Sequence, residues 1–420
     1  MRCSRYACIL LAVCQLATPV MSRDNFLPNI TRLPDRYIIT LRPSRDLNEH
    51  LKHVKSWPSV AKQELDNYKG VTHQYNISDF QAYAGHFSPA TMEQLRRHAD
   101  VQVIEPDRVI TVPESDLEEE QDVGSCSSRR RSIIKQCFAG WALHHISHKK
   151  KGINTNSYLY DSSAGVGTYA YVIDSGININ HVEFQGRATR GFNAVPDHGD
   201  ADALGHGTRV AGLIGSKTYG VAKRTNLIAV KVVENHGSTS TALLLAGYDW
   251  AVADINRRNR HAKAVINISI TGMEREEALD RAVNAAFRVG VTTVASAGNY
   301  GGLDAGQFSP GGAAGSITVS AVDVNYRRWQ AANVGSAVAI FAPGVGVKST
   351  GAWSNTAVTT SSGTSLAAGV VSGLVVYAKG LYSLPDAAMT RSYILRTAVQ
   401  GLVDNPAGAQ NLFAYNGNGA

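Results

Sequence analysis

Three glycine-flanked segments set a carboxylate, an imidazole and a hydroxyl, in that chain order, at places where they could react. Tyr171-Val172-Ile173-Asp174-Ser175-Gly176 ends a strand-like run on an acid, and Gly205-His206-Gly207-Thr208 opens a helical pattern on a histidine. Ser362-Gly363-Thr364-Ser365-Leu366-Ala367-Ala368-Gly369 puts a serine at the start of the most apolar helix. A serine hydroxyl is a weak nucleophile at neutral pH and needs a base within hydrogen-bond reach. Imidazole titrates near neutrality and can take that proton, while a carboxylate fixes its tautomer and stabilises its charged form. A helix start also leaves backbone N–H groups free for a developing oxyanion. Ala295-Ser296-Ala297-Gly298-Asn299 supplies a second donor, the Asn299 amide, opposite the backbone N–H of Ser365. Taken singly, each segment has a plainer reading: a turn aspartate, a loop histidine, a helix N-cap, a turn asparagine. Their order and shared context at strand–helix junctions favour the chemical one.

The elements around these residues alternate. Strand patterns at 168–173, 226–233, 263–270, 291–295 and 316–322 are separated by helical patterns at 206–216, 238–260 and 274–289, the last stopped by Gly290. Such alternation predicts an α/β fold of three layers, with a mainly parallel sheet and chemistry at the carboxyl ends of its strands. Gly165-Val166-Gly167 invites a dinucleotide-binding reading, but these glycines precede a strand instead of following one, so a phosphate cradle fails. Upstream, strand 37–41, helix 47–57, strands 71–77 and 80–87, a helix opened by Ser88-Pro89, and strand 101–112 read as β-α-β-β-α-β. That is a small split-βαβ sandwich with no catalytic constellation.

The whole chain has 420 residues, with 44% hydrophobic and 18% charged, which is enough for two folded units and too apolar for a disordered chain. The charge of +7 comes without zinc-finger spacing or a basic helix, so no nucleic-acid partner is expected. Arg2 and Arg5 precede an apolar stretch at 6–17 and small residues after it, the form of a secretory signal over 1–20. A buried first helix is the alternative. Neither this stretch nor 367–378 is long enough to span a bilayer, so no membrane partner is expected. Cys3, Cys8 and Cys14 would leave with the signal; Cys126 and Cys137 would either pair or remain free thiols. Asn29, Asn76 and Asn267 begin glycosylation sequons, the third inside an apolar strand pattern where modification is not expected. Residues 114–137 turn acidic and then basic at Arg129-Arg130-Arg131, the pattern of a solvated linker open to processing.

In order and motif the chain resembles the secreted subtilisin-like serine proteases of the proteinase K type, made as prepro-enzymes. The likeness runs through most of 165–415 and rests on the three segments above, with His181-Val182-Glu183-Phe184, Tyr219-Gly220-Val221-Ala222, Phe341-Ala342-Pro343-Gly344 and Asn411-Leu412-Phe413-Ala414-Tyr415-Asn416. The resemblance implies a catalytic domain at 138–420 with Asp174, His206 and Ser365 as triad and Asn299 at the oxyanion hole. It implies that 35–113 is a prosegment that inhibits its own enzyme. Ser269-Ile270-Thr271-Gly272 would pair with an extended peptide and, with Ser296, Ala297 and Gly298, wall a pocket for apolar or aromatic P1 residues. A monomer acting on proteins and peptides without a cofactor is expected. The chain departs from the pattern in four places: Thr271 replaces glycine, Leu366 replaces methionine, Gly369-Val370 replaces Pro-His, and Ala339 replaces a calcium-binding aspartate, so no metal is expected there. A catalytically dead binding protein is the rival reading, and the intact triad speaks against it.

Overall fold

A computed structural model describes the chain from Thr31 to Asn418, except residues 66, 113–116, 119–126, 131–132 and 153–155. The expected signal sequence and Asn29 lie outside the described residues.

The N-terminal unit is a four-stranded antiparallel sheet in the order Val101–Thr111, Arg32–Leu41, Phe80–His86, Gly70–Ile77. Its first strand reads Tyr37-Ile38-Ile39-Thr40-Leu41 without polar alternation because both faces are covered. Ile39 and Leu41 pack with Leu51, Val54 and Leu95 beneath the unit's own helices. Ile38, Tyr75, Ile77 and Ala82 face the second unit instead, among Leu244, Tyr248 and Leu279. The helix expected over 47–57 is Leu47–Lys55, and a second helix, Pro58–Leu65, follows it. Pro58 breaks the first and suits the opening turn of the next.

Strand Val101–Thr111 also carries the polar contacts to the second unit. Glu105 accepts from Glu277 N at 2.7 Å and Ala278 N at 2.8 Å, and Asp107 from Ala242 N at 3.0 Å. Two carboxylates on one face of one strand thus cap helices Glu277–Arg288 and Thr241–Arg257, satisfying N–H groups that a helix start leaves open. Arg108 bridges Glu274 at 2.5 Å and Glu276 at 2.8 Å. Burial raises the Glu276 carboxyl above the usual range and the guanidinium offsets part of that. Arg108→Ala leaves Glu276 buried beside two other acids without its cation. The inhibition constant of the separately added prosegment is therefore expected to rise about 30-fold or more; an unchanged constant would show that this pair carries none of the docking.

The second unit is built on a parallel sheet in the order Ala188–Asn193, Asn226–Lys231, Tyr169–Asp174, Ala264–Ile268, Thr293–Ser296, Ser316–Val322, Ile340–Pro343, with Leu412–Phe413 and Val399–Gln400 at the far edge. Tyr169–Asp174 and Ala264–Ile268 neighbour each other where the chain reverses its direction across the sheet, the usual place for a site in such folds. Helix Thr364–Leu381 is apolar enough to cross a membrane but 89% buried within the molecule, so it is a core helix.

Two boundaries differ from expectation. Ile133–Cys137, read as linker, is a strand paired with Ser127–Arg130 and Ser157–Asp161. The helix read from residue 238 begins at Thr241, capped by the Ser240 side chain. The preceding Ser238–Ser240 is a strand that pairs antiparallel with Val109, Ile110 and Thr111, extending the first unit's sheet. Three residues rich in Ser and Thr read equally well as a helix cap, and only the partner strand decides. Cys137 is disulfide-bonded, and the other four cysteines lie outside the described residues.

Candidate active site

Asp174 ends its strand fully buried, held by Ser175 N at 2.8 Å, and its Oδ1 lies 2.7 Å from His206 Nδ1. His206 begins helix His206–Gly215. A Cβ on Gly207 would stand 2.1 Å from Gly176 O and 3.1 Å from Asp174 Cβ, so only glycine lets this first turn lie on the strand end. Beneath it sits a carboxylate that the motif reading missed. Asp202 accepts from Ser175 Oγ at 2.7 Å, Gly205 N at 2.9 Å, and Thr208 N and Oγ1 at 2.8 and 2.6 Å. An aspartate three residues before Gly205-His206 carries the signal of a turn-forming acid, and here it fixes the loop that aims the imidazole. Burial lowers the His206 pKa, but the charge and hydrogen bond of Asp174, with Asp202 behind, raise it to a net value above the ordinary 6.5.

Ser365 is the second residue of its helix, so its N–H has no partner within the helix. Its Oγ donates to Ser269 O at 2.9 Å, with His206 across the same cavity. Asn299 Oδ1 accepts from Thr364 N at 3.0 Å and Thr364 Oγ1 at 2.7 Å. With its oxygen so engaged, the Asn299 amide keeps its NH₂ for another acceptor. A Cβ on Gly369 would meet Val210 O at 3.2 Å and Leu213 Cβ at 3.5 Å, so the glycine permits the serine and histidine helices to pack closely. Leu366 and Val370 are buried in the same core.

These groups open onto a cavity of 330 Å³, also lined by Ser269, Ile270, Thr271, Ser296, Gly298 and buried Arg209. The prosegment residues Thr111 and Val112 enter it. Val112 N donates to Gly237 O at 2.8 Å, continuing the pairing on Ser238–Ser240. Beyond residues 113–116, Leu117–Glu118 pairs with Thr359 and Thr360 on the strand that leads to Ser365. Ala297 is fully buried behind the cavity wall, and Gly272 N donates to Ser309 O. Regular strand ends at Ile268, so Ser269, Ile270 and Thr271 line the cavity outside the sheet, and Gly272 does not line it.

Asn267 is fully buried, donating to Ser372 Oγ and accepting from Ser269 Oγ, so its sequon is closed to glycosylation in the folded chain; Asn76 is exposed. Ala339 is 7% exposed and offers a methyl where calcium needs oxygen, so the family's calcium aspartate has no counterpart there.

An acid–imidazole pair facing a serine at a helix start, beside an amide donor, is the equipment of serine hydrolases that work through an acyl-enzyme. The subtilase family profile matches residues 165–419 and that of the peptidase inhibitor I9 family residues 36–113. The chain belongs to the subtilase family. It is 41% identical to alkaline protease 1 of Aspergillus clavatus over 399 residues, covering 93% of each chain. It is also 41% identical to an alkaline proteinase of Hapsidospora chrysogena over 423 residues, covering 99% of each. A solved cold-adapted subtilisin-like serine proteinase superposes with a TM-score of 0.61 at 34% identity, covering 66% of this chain and 97% of that one. The protein is a serine endopeptidase made as a zymogen.

Proposed function

We propose that this is a secreted endopeptidase in which Asp174, His206 and Ser365 cleave peptide bonds and Asn299 stabilises the oxyanion. The observation that carries the assignment is the 2.7 Å Asp174–His206 pair, set beside a cavity that the Ser365 helix start and the prosegment's last strand both enter. Attack requires Ser365 Oγ to leave Ser269 O and give its proton to His206 Nε2. The new C–O bond puts negative charge on the substrate oxygen, received by the Ser365 N–H and the Asn299 NH₂. His206 returns the proton to the leaving amine, and water then cleaves the acyl-enzyme by the same route. All four groups come from one chain, so a monomer suffices.

Substrate binds as the prosegment does, by adding an extended strand to Ser238–Ser240, with Ser269-Ile270-Thr271-Gly272 on its other side. The P1 pocket is narrower than the expected aromatic pocket. Thr271 Oγ1 reaches across to Ser296 Oγ at 2.8 Å, and its Cγ2 would stand 3.1 Å from a Cβ on Gly298. The side chain thus bridges the two pocket walls, and small apolar P1 residues are the ones favoured. The 35–113 prosegment occupies the cleft until cut, and the first cut falls within residues 113–116, between the pairings that flank the site.

Hydrolysis of a chromogenic peptide with alanine at P1 tests the assignment. Turnover by the secreted protein is expected to be abolished by a serine-directed inactivator. Because only neutral imidazole accepts the proton, activity is expected to fall on acidification with a midpoint above 6.5. Insensitivity to the inactivator, or a midpoint below 6.5, would count against this triad.

A further inference from the structure

Two surface turns meet beside the strand Ser238–Ser240 carrying donor types suited to a transition metal. One is Pro196–His198, on the approach to His206; the other is the turn 234–237, which leads into Ser238–Ser240. They are tied together by protein contacts alone. Asn235 Nδ2 donates to His198 O at 3.0 Å, and Lys231 Nζ donates to Asn235 Oδ1 at 3.2 Å. On this frame His198, Glu234 and His236 each bring one donor atom to within 4.8 Å of the others. His236 Nε2 lies 2.9 Å from Glu234 Oε2, and His198 Nε2 lies 4.0 Å from Glu234 Oε1. Donors around one tetrahedral ion with bonds of about 2.0–2.1 Å stand about 3.3 Å apart. Side-chain rotation of about 1 Å would close this trio on an ion.

We propose that His198, Glu234 and His236 bind a divalent transition-metal ion of the zinc class, pinning the turn 234–237 to the loop before His206. Two imidazoles and one carboxylate suit zinc, copper or nickel, whereas calcium and magnesium take mainly oxygen donors. Side chains that are 32%, 32% and 62% exposed leave room for the ion to enter and for water to complete its shell. The ion also acts at a useful place. Glu234 N donates to Ser238 O, and Gly237 O accepts from Val112 N, so the turn it grips carries the strand on which the prosegment lies. A bound ion stiffens that strand against an incoming peptide; this consequence rests on the cleft reading above, but ion binding does not. The trio escapes motif reading because His198 is far in sequence from the other two and only tertiary contact gathers them.

Calorimetric titration of the full Ser365→Ala chain with zinc ion alone tests the site, with cobalt(II) absorption as a second readout. Binding of one ion per chain in the micromolar range or tighter is expected. His198→Ala and His236→Ala should each weaken it at least tenfold and remove the visible cobalt bands. His206 and the His50, His98 and Asp100 group are intact in every variant, so zinc binding unchanged by both substitutions would place the ion at one of those and overturn the proposal, as would affinity no tighter than millimolar. In the active enzyme, zinc should change KM for a tetrapeptide more than for a single-residue ester, and His236→Ala should erase that difference. Binding without any such difference would overturn the stiffening of the cleft and leave the ion site standing.

Discussion

Ser365→Ala is expected to lower kcat by about 10⁶, with residual hydrolysis about 10³–10⁴ above water, a scale that comes from alanine substitution in a subtilisin triad. The residue is 8% exposed and sits in the first turn of a fully packed helix, where alanine is a good helix former. The loss therefore reports chemistry and not unfolding. The three groups act as one unit, so adding His206→Ala to Ser365→Ala should cost little more. The expected effect has a second, independent readout. On the proposed reading the enzyme removes its own prosegment, so the variant should accumulate as the uncut chain, while the active chain shows a new N-terminus within residues 113–117. Steady-state kinetics and N-terminal sequencing of both proteins check this. A variant keeping one part in a hundred of the activity would remove Ser365 from the nucleophile's role. A normally processed variant would instead assign maturation to another protease, with the basic run Arg129-Arg130-Arg131 as its target.

Thr271→Gly is expected to raise kcat/KM for a phenylalanine-P1 peptide about 10–100-fold, and to change that for an alanine-P1 peptide by only a few-fold. The reason is steric and polar together. In the parent the side chain hydrogen-bonds to Ser296 and its methyl lies against Gly298, so an aromatic ring must break the first contact and displace the second. Glycine removes both obstacles and leaves the Thr271 carbonyl that Tyr300 already holds at 3.1 Å. Discrimination of this size matches what a few atoms in an apolar pocket can supply. Thr271→Ser separates the parts: it keeps the hydroxyl bridge, loses the methyl, and should fall between the two. A parent enzyme that already prefers phenylalanine, with no change of ratio in Thr271→Gly, would show that the bridge yields to substrate at no cost.

The catalytic groups were legible because each sits inside a short local pattern. Asp174 after an apolar strand, His206 between glycines and Ser365 before an apolar helix all need the glycine or helix start beside them, and such requirements are written in adjacent residues. The same holds for the prosegment, where Tyr37-Ile38-Ile39-Thr40-Leu41 already read as a strand, while packing decided that both of its faces are covered. Other features were invisible for an equally physical reason. Ser238–Ser240 is a strand only because Val109–Thr111 lies against it, whereas the apolar run around Asn267 already spoke against its modification and the structure buries it against Ser372. Asp202 supports His206 through a loop that no periodicity describes. Thr271 could be seen as a departure, but not what it touches. By itself, then, the sequence determined the family, the fold class and the reaction, and it pointed to the residues proposed to perform it, since these depend on side-chain chemistry and local backbone needs. Tertiary structure alone decided which strand the prosegment pairs with, which side chains face each other across the cavity and which distant histidines meet. Those properties are distances between segments far apart in the chain, and only packing sets them.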